Sequence, residues 1–177
     1  MRTGGNFANY LRDQIIMSFN IRVGFGFDVH PLGEGRELWL GGVKLEFEKG
    51  CVGHSDADVL LHAICDALLG AANLRDIGFH FPNTNPKYKG ADSKLLLKEV
   101  VELLDKNGYA VGNIDSTLSM EAPKINPHIE AMQNVIAPIL KVSKNEISIK
   151  ATTNEKLGYV GREEGVNAYA VALIYKK

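Results

Sequence analysis

Ser55-Asp56-Ala57-Asp58-Val59-Leu60-Leu61-His62-Ala63-Ile64-Cys65-Asp66-Ala67-Leu68-Leu69-Gly70 is the stretch on which the fold turns. Its Ser-x-x-Asp opening matches a capping-box pattern, Val59–Leu69 reads as an apolar helix, and Gly70 reads as its stop. Asp58, His62 and Asp66 recur every four residues, so they share one face. Val59, Leu60, Ile64, Leu68 and Leu69 cover the others. A polar ridge on such a helix is costly to bury unless its groups are paired or hold a metal.

Working outward, Ile21 to Asp28 alternates around Val23, Phe25 and Phe27, which predicts a strand. Glu37–Leu40 and Val43–Phe47 flank Gly41-Gly42 as a hairpin. Downstream, Asp76 to Gly90 is a loop rich in Gly, Pro and Asn. Ser93 reads as the cap of a second helix, with Leu96, Leu97, Val100, Val101, Leu103 and Leu104 as its stripe and Gly108 past its end. Tyr109–Met120 is a predicted strand. Asn126-Pro127 opens a third helix that ends near Pro138 to Leu140. Glu146–Ala151 is a strand, Thr152–Gly165 a polar loop with room for a short helix, and Val166–Tyr175 a closing strand. Strands and helices mix without a strict repeat. The expected fold is therefore α+β: one compact domain over residues 21–177, with a mixed sheet of about four main strands packed with helices, plus a small hairpin. Residues 1–20 read as a poorly structured N-terminal extension, in which Met17 offers an alternative start.

Composition narrows the function classes. The 177 residues carry a formal net charge of −1 and are 45% hydrophobic. That balance argues against nucleic acid or an anionic membrane surface as partner. No apolar stretch is long enough to span a bilayer. The two cysteines, Cys51 and Cys65, form neither a CxxC pair nor a disulfide framework, which points to a reducing, cytoplasmic setting.

The chemistry gathers in three places. Asp28 and His30 are two apart at the end of an alternating stretch, so on a strand they point to one face. With His62 they supply three N/O ligands and no fourth, the donor set of a catalytic zinc that keeps an open position; the alternative is a core histidine at His62 held by Asp58 or Asp66. Asp66 is a candidate for the partner that fixes a ligand tautomer. His54-Ser55 stands where a helix N-terminus attracts phosphate; a plain cap beside a solvated histidine explains the pair equally well. Thr152-Thr153-Asn154-Glu155-Lys156 follows a strand and suits a diphosphate with a hard divalent cation at Glu155, or an ordinary capping box. Arg162 and Lys124 read as phosphate donors or as solvated surface charges. His80 and His128 have no partners by spacing. Gly24-Phe25-Gly26 fails as a dinucleotide fingerprint, because Val29 occupies the third glycine position and no helix follows promptly.

Five segments in one order carry a resemblance: Gly26–His30, His54–Asp58 through His62, Asp76-Ile77-Gly78 with Phe81-Pro82, Glu121–Lys124, and Lys150–Thr153 through Glu155–Gly158. From about Ile21 to the C-terminus the chain closely resembles the 2-C-methyl-D-erythritol 2,4-cyclodiphosphate synthase family of the non-mevalonate isoprenoid pathway. The resemblance implies a homotrimer with active sites between subunits, acting on 4-diphosphocytidyl-2-C-methyl-D-erythritol 2-phosphate and releasing CMP. It implies Zn²⁺ on Asp28, His30 and His62, and Mg²⁺ or Mn²⁺ at Glu155. His54 and Thr153 would stabilise the transition state. Asp76, Ile77 and Gly78, with the Phe81-Pro82-Asn83-Thr84-Asn85 loop, would contact the methylerythritol. Met120, Glu121, Ala122, Pro123, Lys124, Ile125 and Asn126, with Thr152, Thr153, Asn154 and Glu155, would form the cytidine and diphosphate side, with Tyr159 and Arg162 close by. Asn83 and Asn85 depart from the family loop, which often carries Asp at these positions.

Overall fold

The fold is that of a computed structural model, which describes residues 20–177; the expected extension over residues 1–20 lies almost wholly outside them. Strand β1 (Ile21–Glu34) is followed by three short strands, β2 (Leu38–Leu40), β3 (Val43–Leu45) and β4 (Lys49–Cys51). Helices α1 (Val59–Ala71), α2 (Ile77–His80) and α3 (Ser93–Lys106) come next. Strand β5 (Tyr109–Ser119), helix α4 (Ile129–Leu140), strand β6 (Ile147–Thr152), helix α5 (Gly158–Gly161) and strand β7 (Gly165–Lys176) complete the chain. The main sheet has the order β4-β1-β7-β5-β6, antiparallel except for the β5–β6 pair, and β2–β3 forms the separate hairpin. The α+β expectation holds, with four long strands and a short fifth at one edge.

Cross-strand register defines one buried face. Its rows run Gly24, Ala172, Ile114, Ile147; then Gly26, Ala170, Ser116, Ile149; then Asp28, Ala168, Leu118, Ala151. Helix α1 lies directly on it, and α3 and α4 pack beside α1 against β5 and β6. The approach of α1 to β1 is very close. A Cβ at Gly24 would sit 1.9 Å from the Ala67 carbonyl oxygen, and one at Gly26 would sit 2.0 Å from that of Ala63. Glycine on the strand thus faces Ala63, Ala67 and Ala71 on the helix. The Gly24 and Gly26 pair that fails as a nucleotide motif is the seat of α1.

Several boundaries differ from expectation for local reasons. β1 continues beyond Asp28 because it changes partner: it pairs with β7 as far as Pro31, then with β4 from Leu32 to Glu34. Asp58, not Ser55, caps α1, its Oδ1 accepting from Leu61 N at 3.0 Å. That carboxylate is fully buried and also accepts from Gly41 N at 2.9 Å and Gly42 N at 2.6 Å, tying the hairpin turn to the helix start. Burial pushes its pKa up while the three amide donors oppose the shift. Gly70 does not stop α1, which runs to Ala71. Asp92, not Ser93, caps α3. The Asp76–Gly90 loop contains α2 and a 3₁₀ turn at Pro86–Tyr88.

The opposite sheet face is apolar and open. Ile21, Val23, Phe25, Phe27, Val29, Tyr169, Val171 and Tyr175 are all exposed, Val23 and Phe25 to 63%. Substituting Gly26→Ala should cost about 3 kcal/mol through backbone overlap with α1, read as a lower urea midpoint. Phe25→Ala, on the open face of the same strand, should cost the isolated chain far less.

Candidate active site

The β1–α1 contact brings the predicted ligands together. On β1, Asp28 and His30 follow Gly24 and Gly26 on the same face, and His62 adjoins Ala63 on the helix seated there. Asp28 Oδ2 lies 2.9 Å from His62 Nδ1 and 3.0 Å from His30 Nε2, and the two ring nitrogens are 3.1 Å apart. Asp28, His30 and His62 are the one such metal-binding group among the described residues. A tetrahedral ion with bonds of about 2.0–2.1 Å holds its ligand atoms about 3.3–3.4 Å apart, so the cluster needs only a slight opening to accept one. The donor set of one carboxylate and two imidazoles fits zinc.

The electrostatics match that use. Burial opposes ionisation of Asp28, but hydrogen bonds from His30 and His62 bring its pKa down to about 2. Burial likewise disfavours charge on His30, yet Asp28 and the Val52 carbonyl raise its pKa above the usual 6.5. Cys51 and Cys65 are free and buried, with thiols driven up, that of Cys51 to about 12. Neither is a thiolate ligand.

The ridge of Asp58, His62 and Asp66 divides into three jobs. Asp58 caps the helix, His62 joins the cluster, and Asp66 Oδ1 accepts from Ile77 N at 2.7 Å to anchor α2. Asp66 is therefore not the partner of a metal ligand. That place belongs to Ser93, whose Oγ is 2.9 Å from His62 Nε2, with Ser55 Oγ at 3.2 Å. Ser93 in turn contacts Asp56. Sequence reading spent Ser93 on a cap; the adjacent Asp92 was the better signal.

Residues expected around a methylerythritol flank the cluster. His54 precedes the α1 cap by four residues, its Nε2 3.4 Å from the Asn85 carbonyl, so it meets the Phe81–Asn85 loop. Asp76 caps α2 by accepting from Phe79 N at 2.9 Å, with Ile77 and Gly78 on its first turn. Phe81 is turned inward, stacked edge-on against Tyr88 at 5.3 Å, whereas Pro82, Asn83, Thr84 and Asn85 line the outside of the loop.

The third group gathers at the C-terminal ends of β5 and β6. Met120, Glu121, Pro123, Lys124, Ile125, Asn126, Ala151, Thr152 and Thr153 line a cleft of about 250 Å³. The Ala122–Pro123 peptide is cis. Thr153 Oγ1 donates to Glu155 Oε1 at 2.7 Å. Glu155 and Lys156 both have positive φ, so no helix starts there and the capping-box alternative falls. Glu121 faces inward: it accepts from Asn154 N at 3.2 Å and pairs with Lys156 Nζ at 3.1 Å, which against burial holds its pKa low. Its visible work is to brace the Thr152–Lys156 turn. Arg162 is engaged by Glu164 through two bonds of 2.9 Å, and Tyr159 OH accepts from Asn167 Nδ2 at 2.6 Å.

The model of the YgbB family matches residues 21–175. The chain belongs to that family. A 2-C-methyl-D-erythritol 2,4-cyclodiphosphate synthase of Cytophaga hutchinsonii is 65% identical over 156 residues, 88% of this chain and 98% of the relative. Among solved structures, the bifunctional IspDF of Campylobacter jejuni superposes with a TM-score of 0.87 at 42% identity, covering 90% of this chain and 43% of that longer one. The IspF of Plasmodium falciparum in complex with CDP gives 0.78 at 33% identity, over 90% of this chain and 98% of that one. In this YgbB-family chain, proton competition should govern metal uptake. Imidazolium cannot ligate, so apparent zinc affinity should fall as pH drops through the raised His30 pKa, by roughly tenfold per unit for each competing proton. Titration with a chromogenic chelator from pH 8 to pH 5 measures it; a flat profile would remove His30 from the ligand set.

Proposed function

We propose that this chain cyclises 4-diphosphocytidyl-2-C-methyl-D-erythritol 2-phosphate to 2-C-methyl-D-erythritol 2,4-cyclodiphosphate, releasing CMP. The observation that carries the reading is that the Asp28–His30–His62 cluster and the Met120–Thr153 cleft lie towards the same end of the sheet. Asp28, Ala168 and Leu118 occupy one register row, so Asp28 on β1 is level with the C-terminal end of β5, two strand spacings or about 10 Å away. An extended diphosphate substrate needs two such subsites.

The 2-phosphate oxygen attacks the phosphorus next to the methylerythritol, a new P–O–P link forms, and the bond to the cytidylate phosphate breaks, CMP taking the electron pair. The nucleophile is already anionic, so no general base is required. The obstacles are repulsion between phosphates and the entropy of ring closure, which positioning and electrostatic stabilisation overcome. Zinc on Asp28, His30 and His62 would supply Lewis acidity and a template, and Mg²⁺ or Mn²⁺ on Glu155 would neutralise diphosphate charge. His54, with Ser55 next to it, donates to phosphate oxygens, and the Thr153 hydroxyl does so once its hydrogen leaves Glu155. Asp76, Ile77 and Gly78 hold the methylerythritol, and Met120–Asn126 hold the cytidine. Lys124 lines the cleft with no ion-pair partner among the described residues and can meet phosphate, while Arg162 must first leave Glu164.

We infer a homotrimer as well, supported by the open apolar face. Phe27 and Tyr169 meet there with ring centroids 5.1 Å apart, and both are exposed. Phe25→Asp should give monomers by analytical ultracentrifugation, whereas an unchanged mass would remove this face from the interface. A cytoplasmic setting rests on the free thiols, and no helix among the described residues is long and apolar enough to cross a membrane.

Phosphorus NMR of the product tests the reaction. Substrate should yield CMP and a cyclic diphosphate, and a chelator should abolish both; a linear product would convert the reading to a phosphohydrolase. His62→Ala should lose at least about 100-fold in turnover, within the range for removal of a group acting on developing charge. Its far-ultraviolet circular dichroism should stay that of the parent, and collapse of the fold would instead mark the metal as a structural staple.

A further inference from the structure

A histidine binds a metal through one nitrogen only if the other keeps the hydrogen. His30 meets that condition simply: Nδ1 faces the Val52 carbonyl at 3.1 Å, which can only accept, so Nε2 is left for the cluster. His62 is different, because its outward Nε2 meets two hydroxyls. Hydroxyls donate or accept, so these contacts alone do not fix the ring.

Asp56 removes the ambiguity. Its Oδ1 is in hydrogen-bonding contact with Ser93 Oγ, and its Oδ2 accepts from Ser93 N at 2.9 Å. A carboxylate only accepts, so the Ser93 hydroxyl donates to it and turns a lone pair towards His62. His62 Nε2 must then carry the hydrogen, which leaves Nδ1, the atom facing Asp28 and His30, for the metal. The relay is itself immobilised. Asp56 Oδ1 also accepts from Asp58 N at 3.2 Å, and Asp56 N donates to the Ala91 carbonyl at 3.0 Å. Ser93 is fully buried, so water cannot replace its hydroxyl.

We propose that Asp56, acting through the buried Ser93 hydroxyl, is the positioning residue that makes His62 a metal ligand. This rests on the zinc reading of the cluster. Both residues stand outside the ligand set and outside the subsites assigned above. They join α3 to the metal, so the start of that helix sets the orientation of a ligand on another.

The experiment uses the full chain, with zinc as the probe. Ser93→Ala deletes the relay. Asp56→Asn places an amide hydrogen against one of the three donors that Asp56 now receives. Zinc affinity, measured by competition with a chromogenic chelator, should weaken about 10- to 100-fold in each variant, the usual cost of losing an outer hydrogen-bond partner. In zinc-loaded parent protein, proton–nitrogen NMR should show a slowly exchanging Nε2–H on His62, and Ser93→Ala should broaden or lose it. Unchanged affinity in either folded variant overturns the proposal, as does a parent spectrum with His62 ligating through Nε2, a readout that needs no variant to fold. Parent protein that takes up no zinc overturns the metal reading itself.

Discussion

The contact on which the rest of the molecule depends is backbone against backbone, between Gly24 and Gly26 of β1 and the alanine face of α1. Removing every side chain beyond a methyl at this interface lets the helix descend onto the sheet. At that depth a short aspartate on the strand reaches an imidazole one residue before Ala63. One residue larger on either side would lift His62 away from Asp28. The metal cluster is thus a by-product of close packing, and its rigidity comes from a core that has little room to relax.

A second level of order comes from carboxylates that spend themselves on backbone amides. Asp58 gathers Gly41, Gly42 and Leu61, Asp66 holds Ile77, Asp76 holds Phe79, and Glu121 holds Asn154. Asp58 and Asp66 tie loops to α1, while Asp76 and Glu121 brace turns within the loops themselves. For the reaction proposed, in which catalysis is mostly positioning, such bracing would limit the freedom of these loops before substrate arrives.

Much of this was legible in the sequence, though not for uniform reasons. Local signals found every long element: the apolar runs of α1 and α3, the Asn126-Pro127 opening of the third helix, and the alternation of β1 and β6 are all properties of neighbouring residues. That Asp28, His30 and His62 could form one donor cluster was readable from strand and helix spacing, and the structure brings the three together. The errors cluster where a residue answers to something distant. Ser55 and Ser93 looked like caps because caps are judged on nearest neighbours, yet Asp58 and Asp92 took those positions, and both serines meet His62 instead. Gly24 and Gly26 could not declare their purpose without the helix that lies on them. The alternation of β1 was recognised with its faces unassigned: the side chains that look like core point outward, and the glycines point in.

That inversion has a consequence for how the protein lives in solution. Eight apolar side chains on one sheet face are a debt that a lone chain leaves to water. In the proposed assembly, subunit association settles it, and folding free energy then contains a mass-action term in protein concentration. Dilution would loosen the fold as well as the complex. Cells that make little of this protein would hold it nearer its melting point than cells that make much.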